Sequence, residues 1–185
     1  MTSRLFISLD IPEYVRDEII ARRDEVYGPG AEKIKWEEKD KLHVTLKFLG
    51  DIPDIHRDKI LKKLQVAVSK YKQLSLELDR FGVFNRGGIP FILWLGLKQN
   101  KELDSLYAAI ENELSKINIR KEKRNFHPHI TILRLKGREN QTQIENFFGF
   151  QLEDAQFTSN SVSLVQSTLK PTGSVYNTIK SFYLI

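Results

Sequence analysis

The chain has 185 residues, 41% of them hydrophobic and 29% charged, which fits one globular domain, or one domain built of two lobes, and excludes a disordered chain. Lys and Arg outnumber Asp and Glu by 29 to 24, and the net charge of +5 favours anionic partners without demanding them. The absence of cysteine excludes disulfides, thiolate nucleophiles, iron–sulfur clusters and Cys-ligated zinc, and a cytoplasmic setting is expected, because the Leu5–Ile11 run is too short for an export signal and no stretch reaches the ~18 apolar residues that cross a bilayer.

Arg4 to Ile11 reads as a strand. Pro12 suits a helix start, Val15, Ile19 and Val26 follow at helical spacing, and Gly28-Pro29-Gly30 ends the helix. Lys33 to Trp36 is a second extended stretch, Leu42 to Leu49 a strand, and Gly50 to Asp54 a turn. The turn leads into a helix with Leu61, Leu64, Val68 and Tyr71 on one face. Strands over Leu74 to Phe84 and Phe91 to Leu97 flank a Gly87-Gly88 turn. Leu103, Leu106, Tyr107, Ile110, Leu114 and Ile117 form one stripe of a further helix. A basic segment from Arg120 to Arg124 leads to a strand over Pro128 to Leu135, then a short helix near Thr142 to Phe148. Strands over Gln151 to Phe157, Val162 to Leu169 and Val175 to Leu184 follow.

The informative feature is a repeat. His43-Val-Thr-Leu46 recurs as His129-Ile-Thr-Ile132, 86 residues later in the chain. The same offset carries Leu5–Leu9 onto Phe91–Leu95, so each half reads as strand, helix, then a strand bearing His-x-Thr. Side chains two apart on a strand share a face. His43 and Thr45 therefore point one way, Val44 and Leu46 the other, and likewise for His129 and Thr131. Two such lobes set face to face place two imidazoles and two hydroxyls around one cavity.

Those groups suit a phosphodiester. Opening a 2′,3′-cyclic phosphate needs a base to take a proton from water and an acid to protonate the departing ribose oxygen. Histidine, with a reference pKa of ~6.5, can serve as either near neutral pH. Threonine hydroxyls can donate to the non-bridging oxygens. The chemistry calls for no metal and no cofactor. The chain has no P-loop, no dinucleotide fingerprint and no nucleophilic serine elbow.

The segments Leu42-His-Val-Thr-Leu-Lys-Phe-Leu-Gly50 and Phe126-His-Pro-His-Ile-Thr-Ile-Leu-Arg134 resemble the two-histidine phosphoesterases, and within them the LigT/ThpR-like RNA 2′,3′-cyclic phosphodiesterases. Trp36, Phe81-Gly-Val-Phe84, Pro90–Gly96 and the tail Ser167–Tyr176 extend the resemblance over nearly the whole chain. It implies an α/β fold, residues 1–185 forming a single bilobal domain. Two pseudo-symmetric lobes with antiparallel sheets form a central cleft, with helices outside. It implies hydrolysis of terminal 2′,3′-cyclic phosphate to a 2′-phosphomonoester, with His43 as proton donor, His129 as proton acceptor, and Thr45 and Thr131 on the phosphate. Some relatives also join RNA ends through a 2′–5′ linkage. The expected partner is an RNA or oligonucleotide end bearing the cyclic phosphate, met by a monomer away from any membrane.

Arg134 matches a family position, yet strict alternation puts it opposite His129, so contact with phosphate requires a strand end or a bulge. Phe48 and Trp36 are candidates for stacking on a base. His127 is a histidine at a variable family position: a solvated residue at the strand's start, or a partner of His129 or of the RNA. The basic residues Arg120, Lys121, Lys123 and Arg124 form a solvated face or steer an RNA backbone. Three other readings stay open: a phosphodiesterase acting on small nucleotide cyclic phosphates, a metallohydrolase with His43, His127 and His129 as ligands, and an RNA-binding module without catalysis.

Overall fold

The computed structural model describes residues 1–152, 155–171 and 173–185. Glu153 and Asp154 of the expected Gln151–Phe157 strand, and Thr172 of the tail, lie outside the described residues.

Local chemistry sets the helix ends. Pro12, with φ −60°, stands at the N-cap of α1 (Glu13–Tyr27), and Gly28 closes it at φ 78°, where a side chain would be strained. The Asn100 side chain accepts from the amides of Glu102 and Leu103 and so caps α3 (Lys101–Ser115). Between them lie α2 (Arg57–Val68) and, later in the chain, α4 (Gln141–Glu145). The strands are β1 (Thr2–Leu9), β2 (Val44–Pro53), β3 (Leu74–Arg86), β4 (Ile89–Leu97), β5 (His129–Arg134), β6 (Gln156–Ser159), β7 (Ser161–Lys170) and β8 (Gly173–Tyr183).

The eight strands form one antiparallel sheet in the order β6-β3-β4-β5-β2-β1-β7-β8. The expected pair of sheets is therefore a single sheet pinched at its middle. Among the described residues, β2 and β5 pair only at Val44 and Ile130. Four strands lie on each side of that pinch. Val44, Leu46, Ile130 and Ile132 enter one continuous core with Ile60 and Leu64 of α2 and Leu106 and Ile110 of α3. Burying each such side chain contributes roughly 1.5–3 kcal/mol. α2 and α3 pack on each other. Gln143 at α4 donates to the Tyr27 and Pro29 carbonyls, tying α4 to the end of α1. Among the described residues no helix is long and apolar enough to cross a membrane.

Four local expectations change. Gly50 to Asp54 is no turn: β2 continues through Pro53, and Gly50 adopts φ 74° where the register with β1 slips. The expected extension at Lys33 is the end of a 3-10 turn over Ala31–Lys33. Tyr71 lies past α2, and Ile117 past α3, though both pack against the core. Gln151 makes only an isolated bridge to Arg80, and regular pairing with β3 begins at Gln156.

Candidate active site

The strands bearing the two motifs share one irregularity. Against β1, Thr45 faces Ser8 and Lys47 faces Ile7, which leaves Leu46 over. Against β4, Thr131 faces Trp94 and Leu133 faces Leu93, which leaves Ile132 over. The offset of 86 carries the first set of positions onto the second. Each extra residue is a β-bulge that reverses the alternation of faces. Leu46 and Lys47 are accordingly both buried, as are Ile132 and Leu133.

The next residues, Phe48 and Arg134, therefore return to the face of the His and Thr side chains. This corrects the expectation that alternation turns Arg134 away from His129. Phe48 is 72% exposed, with its ring 6.1 Å from Phe6. Lys47 turns inward, where its Nζ donates to Glu111 Oε1 at 2.5 Å and to the Arg120 carbonyl at 2.9 Å. The Glu122 amide donates to the other Glu111 oxygen. This buried pair pins the loop before β5, while the basic side chains of Arg120, Lys121, Lys123 and Arg124 are exposed.

The pinch places the four motif side chains around one ladder position. In an antiparallel pair centred on Val44 and Ile130, His43 stands across from Thr131 and Thr45 across from His129. A charge on His129 disfavours protonation of His43. His43 Nδ1 lies 2.7 Å from the Lys41 carbonyl, and His129 Nδ1 lies 2.7 Å from the His127 carbonyl. A carbonyl only accepts, so each Nδ1 carries a proton and each Nε2 is the nitrogen that gains or loses one. Thr45 Oγ1 is 3.0 Å from His43 Nε2 and donates to it when the ring is neutral.

Aromatic side chains seat both rings. Phe6 stacks under His43 at 4.9 Å, and Tyr176 meets His43 edge-on at 5.7 Å. Phe84 meets His129 edge-on at 4.9 Å, and Trp94 lies 6.4 Å away. Trp94 rests across Gly82, where a Cβ would fall 2.3 Å from the indole. Burial pushes the His43 imidazole down to about 4, and Arg16 and His129 add repulsion. The Lys41 carbonyl and Asp10 oppose the shift. Burial lowers His129 as well, with His127 and Arg134 adding to it. Burial thus favours the neutral form of both rings.

The other expected site residues divide. The exposed His127 ring packs edge-on to Trp94 at 4.8 Å and lies 6.0 Å from His129, but it is the backbone carbonyl that orients His129. Trp36 donates to the Ala31 carbonyl at 2.9 Å, abuts Tyr27 and carries Arg23 over its face. Its ring serves the core and touches neither histidine, while its edge lines a cavity of about 200 Å³ beside Arg134 and Tyr176. Arg134 pairs with Glu37 at 3.1 Å. Burial, with the Glu37 charge, raises the Tyr176 hydroxyl above its ordinary value. Phe6 and Tyr176 are site residues that sequence reasoning missed: they lie on β1 and β8, and no local pattern points them at His43. Among the described residues no group of three His, Cys, Asp or Glu side chains is placed to hold a metal ion, and His43, His127 and His129 form no such group.

Residues 15–170 match the model of the 2′-5′ RNA ligase superfamily. Over 181 residues the chain is 30% identical to a Methanocaldococcus jannaschii protein named RNA 2′,3′-cyclic phosphodiesterase, covering 97% of this chain and 99% of that one. A Thermotoga maritima protein of the same name is 32% identical over 184 residues, covering 95% of this chain and 92% of its own. The structure of Escherichia coli LigT in apo form superposes with a TM-score of 0.80 at 25% identity, covering 99% of this chain and 98% of that one.

Proposed function

The chain belongs to the 2′-5′ RNA ligase superfamily, and from that premise we propose that it hydrolyses the 2′,3′-cyclic phosphate at an RNA end to a 2′-phosphomonoester. The curated relatives named for this activity support the reading along almost the full chain. The observation that carries the mechanism is the matched pair of imidazoles. Each is anchored through Nδ1 to the carbonyl two residues back, which leaves Nε2, met in His43 by the Thr45 hydroxyl, as the nitrogen for proton transfer.

The neutral His129 Nε2 takes a proton from water as the water oxygen bonds to phosphorus. The bond from phosphorus to the 3′-oxygen breaks, and His43 Nε2–H protonates that oxygen. The products are a 2′-phosphomonoester and a free 3′-hydroxyl. The histidines end with their protonation states exchanged and reset through solvent. Each proton transfer supplies about 100- to 10,000-fold. The assignment of donor and acceptor follows the family resemblance of the two motifs. Thr45 and Thr131 donate to the non-bridging oxygens. Burial favours a neutral His43, so the substrate's own negative charge supplies the field that protonates it. Arg134 and Phe48, returned to this face by the bulges, offer a cation for phosphate and a ring for a base. With a 5′-hydroxyl in place of water, the same steps form a 2′–5′ linkage.

We read the chain as one bilobal domain of two pseudo-repeats, acting as a monomer in the cytoplasm. The direct test is incubation with a short oligoribonucleotide ending in a 2′,3′-cyclic phosphate. The expected product carries a 2′-phosphate, and His43→Ala and His129→Ala each abolish most turnover while folding survives. Tight binding without product favours the RNA-binding module, and turnover restricted to mononucleotides favours the small-nucleotide reading.

A further inference from the structure

We propose that Asp10 is a positioning residue whose fixed charge makes His43, rather than His129, the proton donor. The inference rests on the phosphodiesterase reading and gives a physical cause for a division of roles that otherwise follows only from the resemblance of the motifs. Hydrolysis needs one protonated imidazole and one neutral imidazole. The two rings are held alike, each through Nδ1 to the carbonyl two residues back. A group outside the rings has to tell them apart.

Asp10 stands where it can act on His43. Leu9 pairs with Val44, so the residues flanking that pair, Asp10 and His43, lie across from each other. Alternation puts Asp10 on the face of Phe6 and Ser8, and Phe6 stacks on the His43 ring. Hydroxyls fix the carboxylate on that face. Ser8 donates to Oδ1 at 3.2 Å, and Ser161 and Ser163 donate to Oδ2 at 2.9 and 2.5 Å. The Ser181 hydroxyl lies 2.8 Å behind Ser163, and the Asp10 amide donates to the Ser161 carbonyl. Ser8, Ser161 and Ser163 are all buried. Hydroxyls orient a carboxylate without neutralising it, and burial weakens the screening of its charge.

At His129 the matching position carries no charge. The offset of 86 that takes His43 onto His129 takes Asp10 onto Gly96, the residue paired with His129. A Cβ added there would fall 3.0 Å from the Trp94 ring. The other groups that face His43 are the Lys41 carbonyl, the Tyr176 ring on β8, Arg16 on α1 and His129 on β5. Of the charged ones, Asp10 favours protonation of His43, while Arg16 and His129 oppose it. The charges acting on His129, from His127 and Arg134, both oppose its protonation.

The experiment is an NMR titration of the His43 and His129 ring protons in the wild type, Asp10→Asn, Asp10→Ser and Ser163→Ala, alongside kcat against pH on a cyclic-phosphate-ended oligoribonucleotide. Asparagine keeps the shape of Asp10 and its contacts with the serines but removes the charge. His43 should then titrate lower by about 0.5–1 pH unit, less than the shift of about 1–3 that an opposite charge in direct reach produces, and His129 should move less. The limb of the kcat profile on which the donor loses its proton should shift by the same amount, so that the rate there falls about 3- to 10-fold. Asp10→Ser, smaller and also uncharged, should give the same shift. Ser163→Ala removes a hydroxyl but keeps the charge, and should move His43 much less. An unmoved His43, equal shifts at both histidines, or an equal shift from Ser163→Ala overturns the proposal. The titration needs no turnover. A shifted His43 in a protein that opens no cyclic phosphate therefore counts against the catalytic reading, and leaves the effect of Asp10 on His43 standing.

Discussion

Adding a nucleoside 2′-monophosphate to this protein should raise the pKa of His43. Burial holds that imidazole at about 4, against an ordinary value of 6.5. At 1.36 kcal/mol per pH unit, the gap favours the neutral ring by about 3 kcal/mol, an upper bound because the ring keeps a solvent-facing edge. An anion set against Nε2 opposes that bias, and an opposite charge at this range moves a pKa by about 1–3 pH units. The assay is an NMR titration of the His43 ring protons with and without ligand. Linkage fixes the sign in the free protein. The unfolded chain takes up the His43 proton near 6.5 and the folded chain only near 4. Stability is therefore full above about 6.5 and lost as pH falls toward 4. Ligand-bound protein should lose less over that interval. A free-protein pKa near 6.5, or a ligand that leaves His43 unmoved or lowers it, refutes the reasoning.

Gly82→Ala forces the Trp94 indole aside. It should cost about 1–3 kcal/mol, as overpacking does, and lower kcat/KM through the seat of His129, read by urea denaturation and initial rates. Lys47→Met strands Glu111, whose side chain is 7% exposed, and should cost about 3–5 kcal/mol, whereas Lys47→Met with Glu111→Leu recovers most of it; thermal unfolding distinguishes the two. A chelator in excess should leave turnover unchanged, since the proposed steps pass only through imidazoles, hydroxyls and water; loss of rate restored by added metal would contradict this.

Much of this was legible in the residues. The His-x-Thr repeat at a constant offset pointed to two histidines and two threonines on one face, because period-two alternation and apolar neighbours dictate which face the polar groups take, and the pairing of Val44 with Ile130 does bring the two motifs side by side. The elements bounded by Pro12, Gly28 and the Gly87-Gly88 turn fell where those residues require. The bulges at Leu46 and Ile132 were not legible. They depend on how β2 and β5 pair with their neighbours, and no residue type marks them. They decide that Phe48 and Arg134 share the face of His43 and His129 and that Lys47 does not. Gly50 misled because a glycine at positive φ serves a bulge as well as a turn. Tyr176 was hidden because its approach to His43 depends on the arrangement of β8 in the sheet, which sequence spacing does not encode.

The central claim is that two imidazoles act on one phosphorus in the same step. Turnover of a cyclic-phosphate-ended oligoribonucleotide by His43→Ala, His129→Ala and the double variant tests it most directly. The account predicts that either single change removes nearly all the rate and that the double variant is scarcely slower than either one. Losses that multiply, or a single variant that keeps substantial turnover, would contradict it.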